Sequence, residues 1–162
     1  MKKKDTQFKF VGNETVVSNR RARHDYEITD TIEAGLVLTG TEVKSIRMGG
    51  AQIAEAYAIV DNDGRKAPEA WIQGMFVPPY LSGNYNNVDS RRKRKLLLHR
   101  SQINKLIGAS SQKGYTLIPL KLHLKNGRIK IDIGVGKGRK SHDKRRAIAD
   151  REVKRDMERG QF

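Results

Sequence analysis

Ile118, Leu120, Leu122 and Leu124 alternate with other residues up to Asn126-Gly127, and Ile129, Ile131, Ile133 and Val135 alternate away from it. A period of two puts apolar side chains on one face of a strand, and Asn-Gly supplies the positive φ angles of a type I′ turn. The register of this ribbon is well specified, because a slip of one residue would turn its whole apolar face toward water. A lone hairpin is barely stable in water, so the rest of the chain has to cover that face. Pro119 has no amide hydrogen for a ladder and belongs at an edge or a bulge.

The covering elements are legible as short strands. Tyr26 to Leu38 reads as a bent strand with a kink or bulge at Gly35. Ile53 to Val60 and Ala70 to Val77 flank the turn-rich Asp61-Asn62-Asp63-Gly64, and Pro78-Pro79 ends the second of them. Thr39-Gly40-Thr41-Glu42 fits a reciprocal capping box opening a helix of at most two turns, stopped by Gly49-Gly50. Ser101 is placed to cap a second helix whose Ile103, Leu106 and Ile107 share a face, with Gly114 closing it. Asn19 is placed to cap a short helix that carries the three arginines of Arg20 to Arg23. Six or so short strands with regular turn signals predict a mainly β chain, an OB-type antiparallel Greek-key barrel of five or six strands.

After Val135 the sequence becomes Gly136-Lys137-Gly138-Arg139-Lys140-Ser141-His142-Asp143-Lys144-Arg145-Arg146 and holds too little aliphatic surface for a core of its own. The expected organisation is a flexible lead-in over 1–12, a barrel over 13–135 and a basic tail over 136–162, with the glycines at 134, 136 and 138 as a hinge. Asp150 with Lys154, Glu152 with Arg155 and Asp156 with Arg159 are spaced for helix-surface ion pairs, together about 1 kcal/mol. That is too little to offset nucleation of a short isolated helix, so the tail is expected to be disordered alone and helical against a partner.

Charge names the kind of partner. Lys and Arg number 33 against 18 Asp and Glu, a formal net charge of +15, which suits a polyanion. Basic clusters fall at Arg20 to Arg23, Arg91 to Lys95 and Lys137 to Arg146, and Tyr26, Tyr57, Tyr80, Tyr85 and Trp71 are available for stacking on bases. RNA is the expected target. No run approaches a membrane span and Met1-Lys2-Lys3-Lys4-Asp5 is not followed by an apolar signal region, so the expected location is cytoplasmic.

Catalytic signals are poor. With no cysteine, disulfides, thiol nucleophiles and Cys-based zinc sites are excluded. No two of the four histidines are spaced as a zinc pair on one helix, so no metal or other cofactor is expected. His24-Asp25 and His142-Asp143 are adjacent pairs whose side chains are expected to diverge, and they read as polar side chains facing water rather than as catalytic groups. The remaining alternatives are a general single-stranded-RNA or ribosomal OB protein, and an RNA-processing enzyme using His24 or His142.

Five collinear stretches carry a resemblance: Asn19 to Tyr26, Glu33-Ala34-Gly35-Leu36, Gly40 to Arg47, Arg94 to His99, and Gly136 to Arg145. In this order they are similar to the successive signatures of the SmpB family, the bacterial SsrA-binding proteins, over about Val16 to Glu152. The resemblance implies an OB barrel that holds the tRNA-like domain of transfer-messenger RNA (tmRNA) and accompanies it to stalled ribosomes in trans-translation, as a monomer and without enzymatic activity. By motif, Asn19, Tyr26, Glu33, Leu97 and Lys130 match positions of the RNA-binding face, and the basic members Arg20, Arg21, Arg23, Lys44, Arg47, Arg94 and Lys95 join them as candidates. Glu33 repels phosphate and makes sense only as an acceptor from base or ribose donors. The resemblance further implies that Asp143, Lys144 and Arg145, with Lys137, Arg139, Lys140 and His142, enter the decoding centre and the empty mRNA channel. Val153 stands where family members often carry a bulky aromatic residue.

Overall fold

The computed structural model describes residues 8–81, 87–139 and 141–160, with the side chains of 141–147 outside that description. Most of the expected lead-in, Tyr85, Lys140 and Phe162 therefore lie outside the described residues. Strands β1 (Thr15–Ser18), β2 (Tyr26–Leu36), β3 (Tyr57–Asp61), β4 (Glu69–Gln73), β5 (Arg94–Leu97), β6 (Tyr115–Lys125) and β7 (Arg128–Gly138) are joined with helices α1 (Ala22–Asp25), α2 (Gly40–Arg47), α3 (Arg100–Ser110) and α4 (Ser141–Glu158). Strands run β6-β3-β4-β5-β2-β7, all antiparallel, and β7 returns to β6 to close the ring. β1 fills the stretch of the β6 edge that β3 leaves open, pairing at Lys121 to His123. This is the mainly β, OB-like barrel that the turn signals predicted.

The β6–β7 hairpin turns at Asn126 (φ 51°) and Gly127 (φ 75°), as a type I′ turn requires. Leu122, Leu124, Ile131, Ile133 and Val135 are buried as expected. The apolar alternation of β6 is nevertheless not continuous. A bulge between Pro119 and Lys121 shifts its phase, so Leu117 joins the central core. Ile118 and Leu120 then lie against Gly136 and Gly134 of β7, with Tyr26 and Ile28 beside Gly136.

That shift explains the glycines whose spacing reads as a hinge in the sequence. A Cβ at Gly136 would stand 2.8 Å from Ile118 Cδ1 and 3.0 Å from the Tyr26 Cβ, and one at Gly134 would stand 3.0 Å from Leu120 Cδ1. Gly136, Lys137 and Gly138 pair with Ile28, Glu27 and Tyr26, so the barrel ends at 138 rather than 135 and the hinge is a strand. Gly136→Val is expected to lower stability by about 1–3 kcal/mol through overpacking. Gly138→Ala, with nothing within 4 Å, is expected to leave the urea midpoint nearly unchanged.

Other boundaries differ for local reasons. The bulge of β2 lies between Ile28 and Asp30, while Gly35 is where the strand exchanges its partner β7 for β5. β3 and β4 are shorter than expected because Gly74 adopts φ 78° against the Glu55 carbonyl, leaving only a bridge between Gln52 and Phe76 beyond it. The α2 capping box is as read: the Thr39 hydroxyl accepts from the Glu42 amide at 3.3 Å and the Glu42 carboxylate accepts from the Thr39 amide at 3.0 Å. α3 starts earlier than predicted, after His99 rather than Ser101, and Gln102 Oε1 accepts from the His99 amide at 2.9 Å. A Lys105–Asp30 pair at 2.6 Å ties α3 to β2 and holds the Asp30 carboxyl below its ordinary pKa.

One expected RNA ligand lies in the interior. Arg94 is 0% exposed. Its Nε donates to Glu42 at 2.6 Å, and its terminal nitrogens donate to the carbonyls of Met75, Arg92 and Ser90. Arg92 pairs with the same carboxylate from the rim. Burial opposes ionisation of Glu42, but hydrogen bonds from Arg92, the Thr39 amide and Arg94 outweigh it and hold its pKa below the usual carboxylate range. A guanidinium with this many buried acceptors fastens α2 to β5 and is withdrawn from any ligand.

Candidate nucleic-acid interface

Bulge and register together set the outer face of β2, β7 and β6. Glu33 pairs across to Asp132 and Asp132 to Lys121, while Gly35 pairs to Lys130 and Lys130 to His123. Residues paired across antiparallel strands share a face, so this surface carries a lattice of charges with one vacancy at Gly35. Lys130 Nζ and the Leu97 Cβ approach to 3.6 and 3.2 Å of where a side chain at 35 would begin. The vacancy thus lets a cation and an apolar side chain meet over bare backbone.

Glu33, Gly35, Leu97, His99, Gln102 and Lys130 bound one open hollow. Leu97 is 54% exposed, an apolar shelf suited to the face of a base. Lys130 offers charge to phosphate and Glu33 offers acceptors to base or ribose donors. Asn19, Arg20, Arg23, Lys121 and Asp132 bound a second hollow on the same side of the barrel. Arg23 also borders a third, with Tyr26, Arg139, Asp150 and Arg151. The sequence candidates Asn19, Arg20, Arg23, Tyr26, Glu33, Leu97 and Lys130 therefore line adjoining depressions, and the exposed Arg21 precedes α1.

Several roles differ from those expected. Asn19 does not cap α1 with its side chain; its amide donates to the Pro119 carbonyl at 3.0 Å and clamps the α1 turn to the β6 bulge. Arg47 donates to the Gly127 carbonyl at 2.8 Å and pins the hairpin tip. The Lys44 ammonium lies 5.6 Å from the Tyr80 ring centre, and Lys95 pairs with Glu69 at 3.5 Å. Trp71 is covered by the Lys93 ammonium at 4.3 Å, and the Tyr57 hydroxyl donates to Gln73. His24 and Asp25, expected to diverge, meet at 2.8 Å where α1 gives way to extended backbone at Tyr26.

Lys121, His123 and Lys125 on β6, and Asp132 on β7, were missed as members of this face. They are the polar alternates of the same period-two ribbon, so the pattern that identified the core also held this signal. At the end of the barrel Lys137 is the penultimate residue of β7, and the Arg139 amide donates to the Asp25 carbonyl at 2.9 Å. His142, Asp143, Lys144 and Arg145 occupy the first turns of α4, and residues 148–160 are exposed. No helix among the described residues is long and apolar enough to cross a membrane.

A closed antiparallel barrel with a cationic outer face and a basic helix projecting past its last strand is the build of an RNA-binding β-barrel protein. The chain belongs to the SmpB family, whose family model, described as SmpB protein, matches residues 16–161. Among curated relatives, the SsrA-binding protein of Clostridium novyi (strain NT) is 54% identical over 91% of this chain and 90% of its own. That of Thermobifida fusca (strain YX) is 48% identical over 98% and 96%. A solved structure presented as "tmRNA-SmpB: a journey to the center of the bacterial ribosome" superposes with TM-score 0.64 at 43% identity, covering 82% of this chain and 93% of that one.

Proposed function

We propose that this protein binds tmRNA, the SsrA RNA, and serves trans-translation by accompanying it to stalled ribosomes. The observation that carries the reading is the hollow at Gly35, where a carboxylate, a bare backbone, an apolar shelf and an ammonium lie side by side, with the second hollow, bordered by Arg20 and Arg23, reached through the Glu33–Asp132 strand pair. Such a mixture selects a folded RNA presenting a base, a ribose edge and phosphates at fixed spacing; phosphate affinity alone would need only the lysines. The relatives named SsrA-binding protein and the tmRNA-SmpB structure support the same RNA.

The working residues are Asn19, Arg20, Arg21, Arg23, Tyr26, Glu33, Leu97 and Lys130, held by the barrel. The tail, from Arg139 through Lys144 and Arg145, reaches the decoding centre and empty mRNA channel, where ribosomal RNA supplies the polyanion that its charge needs. It is disordered alone and takes the helical form of α4 on contact, since its surface ion pairs cannot offset nucleation. In competition at fixed salt, a folded tRNA-like domain should outcompete an unstructured strand of equal length by at least about tenfold. Equal competition would instead indicate a general RNA-binding protein. Log affinity should fall with log salt by roughly 0.7–0.9 for each phosphate contacted.

A further inference from the structure

Two carboxylates placed directly opposite each other on neighbouring strands destabilise a sheet unless something positive lies between them, and Glu33 and Asp132 are such a pair. Each turns one oxygen to a lysine: Glu33 Oε1 is 3.3 Å from Lys125 Nζ and Asp132 Oδ2 is 3.7 Å from Lys121 Nζ. Their other oxygens converge on one ring nitrogen. His123 Nε2 lies 3.0 Å from Asp132 Oδ1 and 3.6 Å from Glu33 Oε2, and one ligand atom from each residue falls within 4.8 Å of the others.

We propose that Glu33, His123 and Asp132 form a site for a divalent first-row cation such as Zn²⁺. Zinc bonds of about 2.0–2.2 Å to imidazole nitrogen and carboxylate oxygen place tetrahedral ligands about 3.4 Å apart, close to the spacing already present. Binding displaces any proton on His123 Nε2. The imidazole and Asp132 are largely shielded, with side chains 13% and 16% exposed, while Glu33 at 36% opens on solvent. Lys125 and Lys121 hold the outer oxygens and so orient both carboxylates. Three protein ligands leave one position open, on the face that bears Lys130. A bound cation would turn the acidic spot of this face into a positive one that could accept a phosphate oxygen. The ligands come from residues 33, 123 and 132 on three strands, a separation that conceals the site from any spacing motif.

The test is titration of the full-length, RNA-free protein with Zn²⁺ by calorimetry and with Co²⁺ by visible absorption, so its outcome is independent of the RNA-binding reading. The expected result is one equivalent bound, retained in His24→Gln and weakened more than about 100-fold in both His123→Gln and Asp132→Asn, with wild-type circular dichroism in each variant. The two site substitutions lie on different strands, so a folding defect in one leaves the other informative. Absence of saturable binding, binding insensitive to both site substitutions, or binding removed by His24→Gln would overturn the proposal.

Discussion

Glu42→Gln should lower the unfolding free energy by about 3–5 kcal/mol, the cost of leaving a buried charge without its counter-ion. Glu42 closes the α2 capping box, accepts from the fully buried Arg94 Nε, and pairs with Arg92 at the rim. Glutamine keeps the shape but removes the charge, leaving the Arg94 guanidinium with neutral acceptors alone. The double variant Glu42→Gln/Arg94→Met removes both charges and should recover much of the loss. Urea unfolding of the three proteins at pH 7 checks this; equal stability of wild type and Glu42→Gln would show that the pair does not hold the barrel. The pH dependence follows from the sign of the shift. The folded carboxyl titrates below its ordinary range, so its contribution is complete above the unfolded value of about 4.3. It is lost as pH falls through the lower folded value. Stability of Glu42→Gln should therefore depend less steeply on pH below about 4.

Ending the chain after Gly138 is expected to leave tmRNA affinity within a few-fold of wild type and to eliminate peptide tagging on stalled ribosomes. The cut falls past the last pairing of β7 with β2, Gly138 with Tyr26, so every ladder bond of the ring survives. It removes α4 together with Lys144 and Arg145, but none of the residues around the Gly35 hollow. A cut after Val135, the boundary read from sequence, should instead cost stability, because it strips the pairs of Ile28, Glu27 and Tyr26 and opens the packing of Ile118. Binding assays and tagging assays on both truncations separate the two effects. Loss of RNA binding in the 1–138 chain with an intact fold would place the main contact in the tail.

Local chemistry made much of this fold legible. Asn126-Gly127 and Thr39 to Glu42 each carry their own hydrogen-bond and dihedral requirements, and both formed as read. What depended on distant partners was less visible. Arg94 sits in a run of five basic residues that looks like solvated surface, and only the position of Glu42, 52 residues away in sequence, decides that it turns inward. Gly134 and Gly136 look like a hinge in composition, yet the bulge at Pro119 brings Leu120 and Ile118 against them and makes the absence of a side chain a packing requirement. The interface shows the same division. Glu33, Leu97 and Lys130 were named by family resemblance, but their meeting point at Gly35 and the neighbouring Lys121, His123 and Asp132 follow from strand register, which a single segment does not encode.

Backbone amide exchange of the full-length protein, with and without the tRNA-like domain of tmRNA, tests the division between barrel and tail most directly. Protection should rise at residues 19–25 and 98–102, which border the hollows, and stay unchanged over Ser141–Glu158. Protection confined to Ser141–Glu158, with residues 19–25 and 98–102 exchanging as in the free protein, would contradict the account.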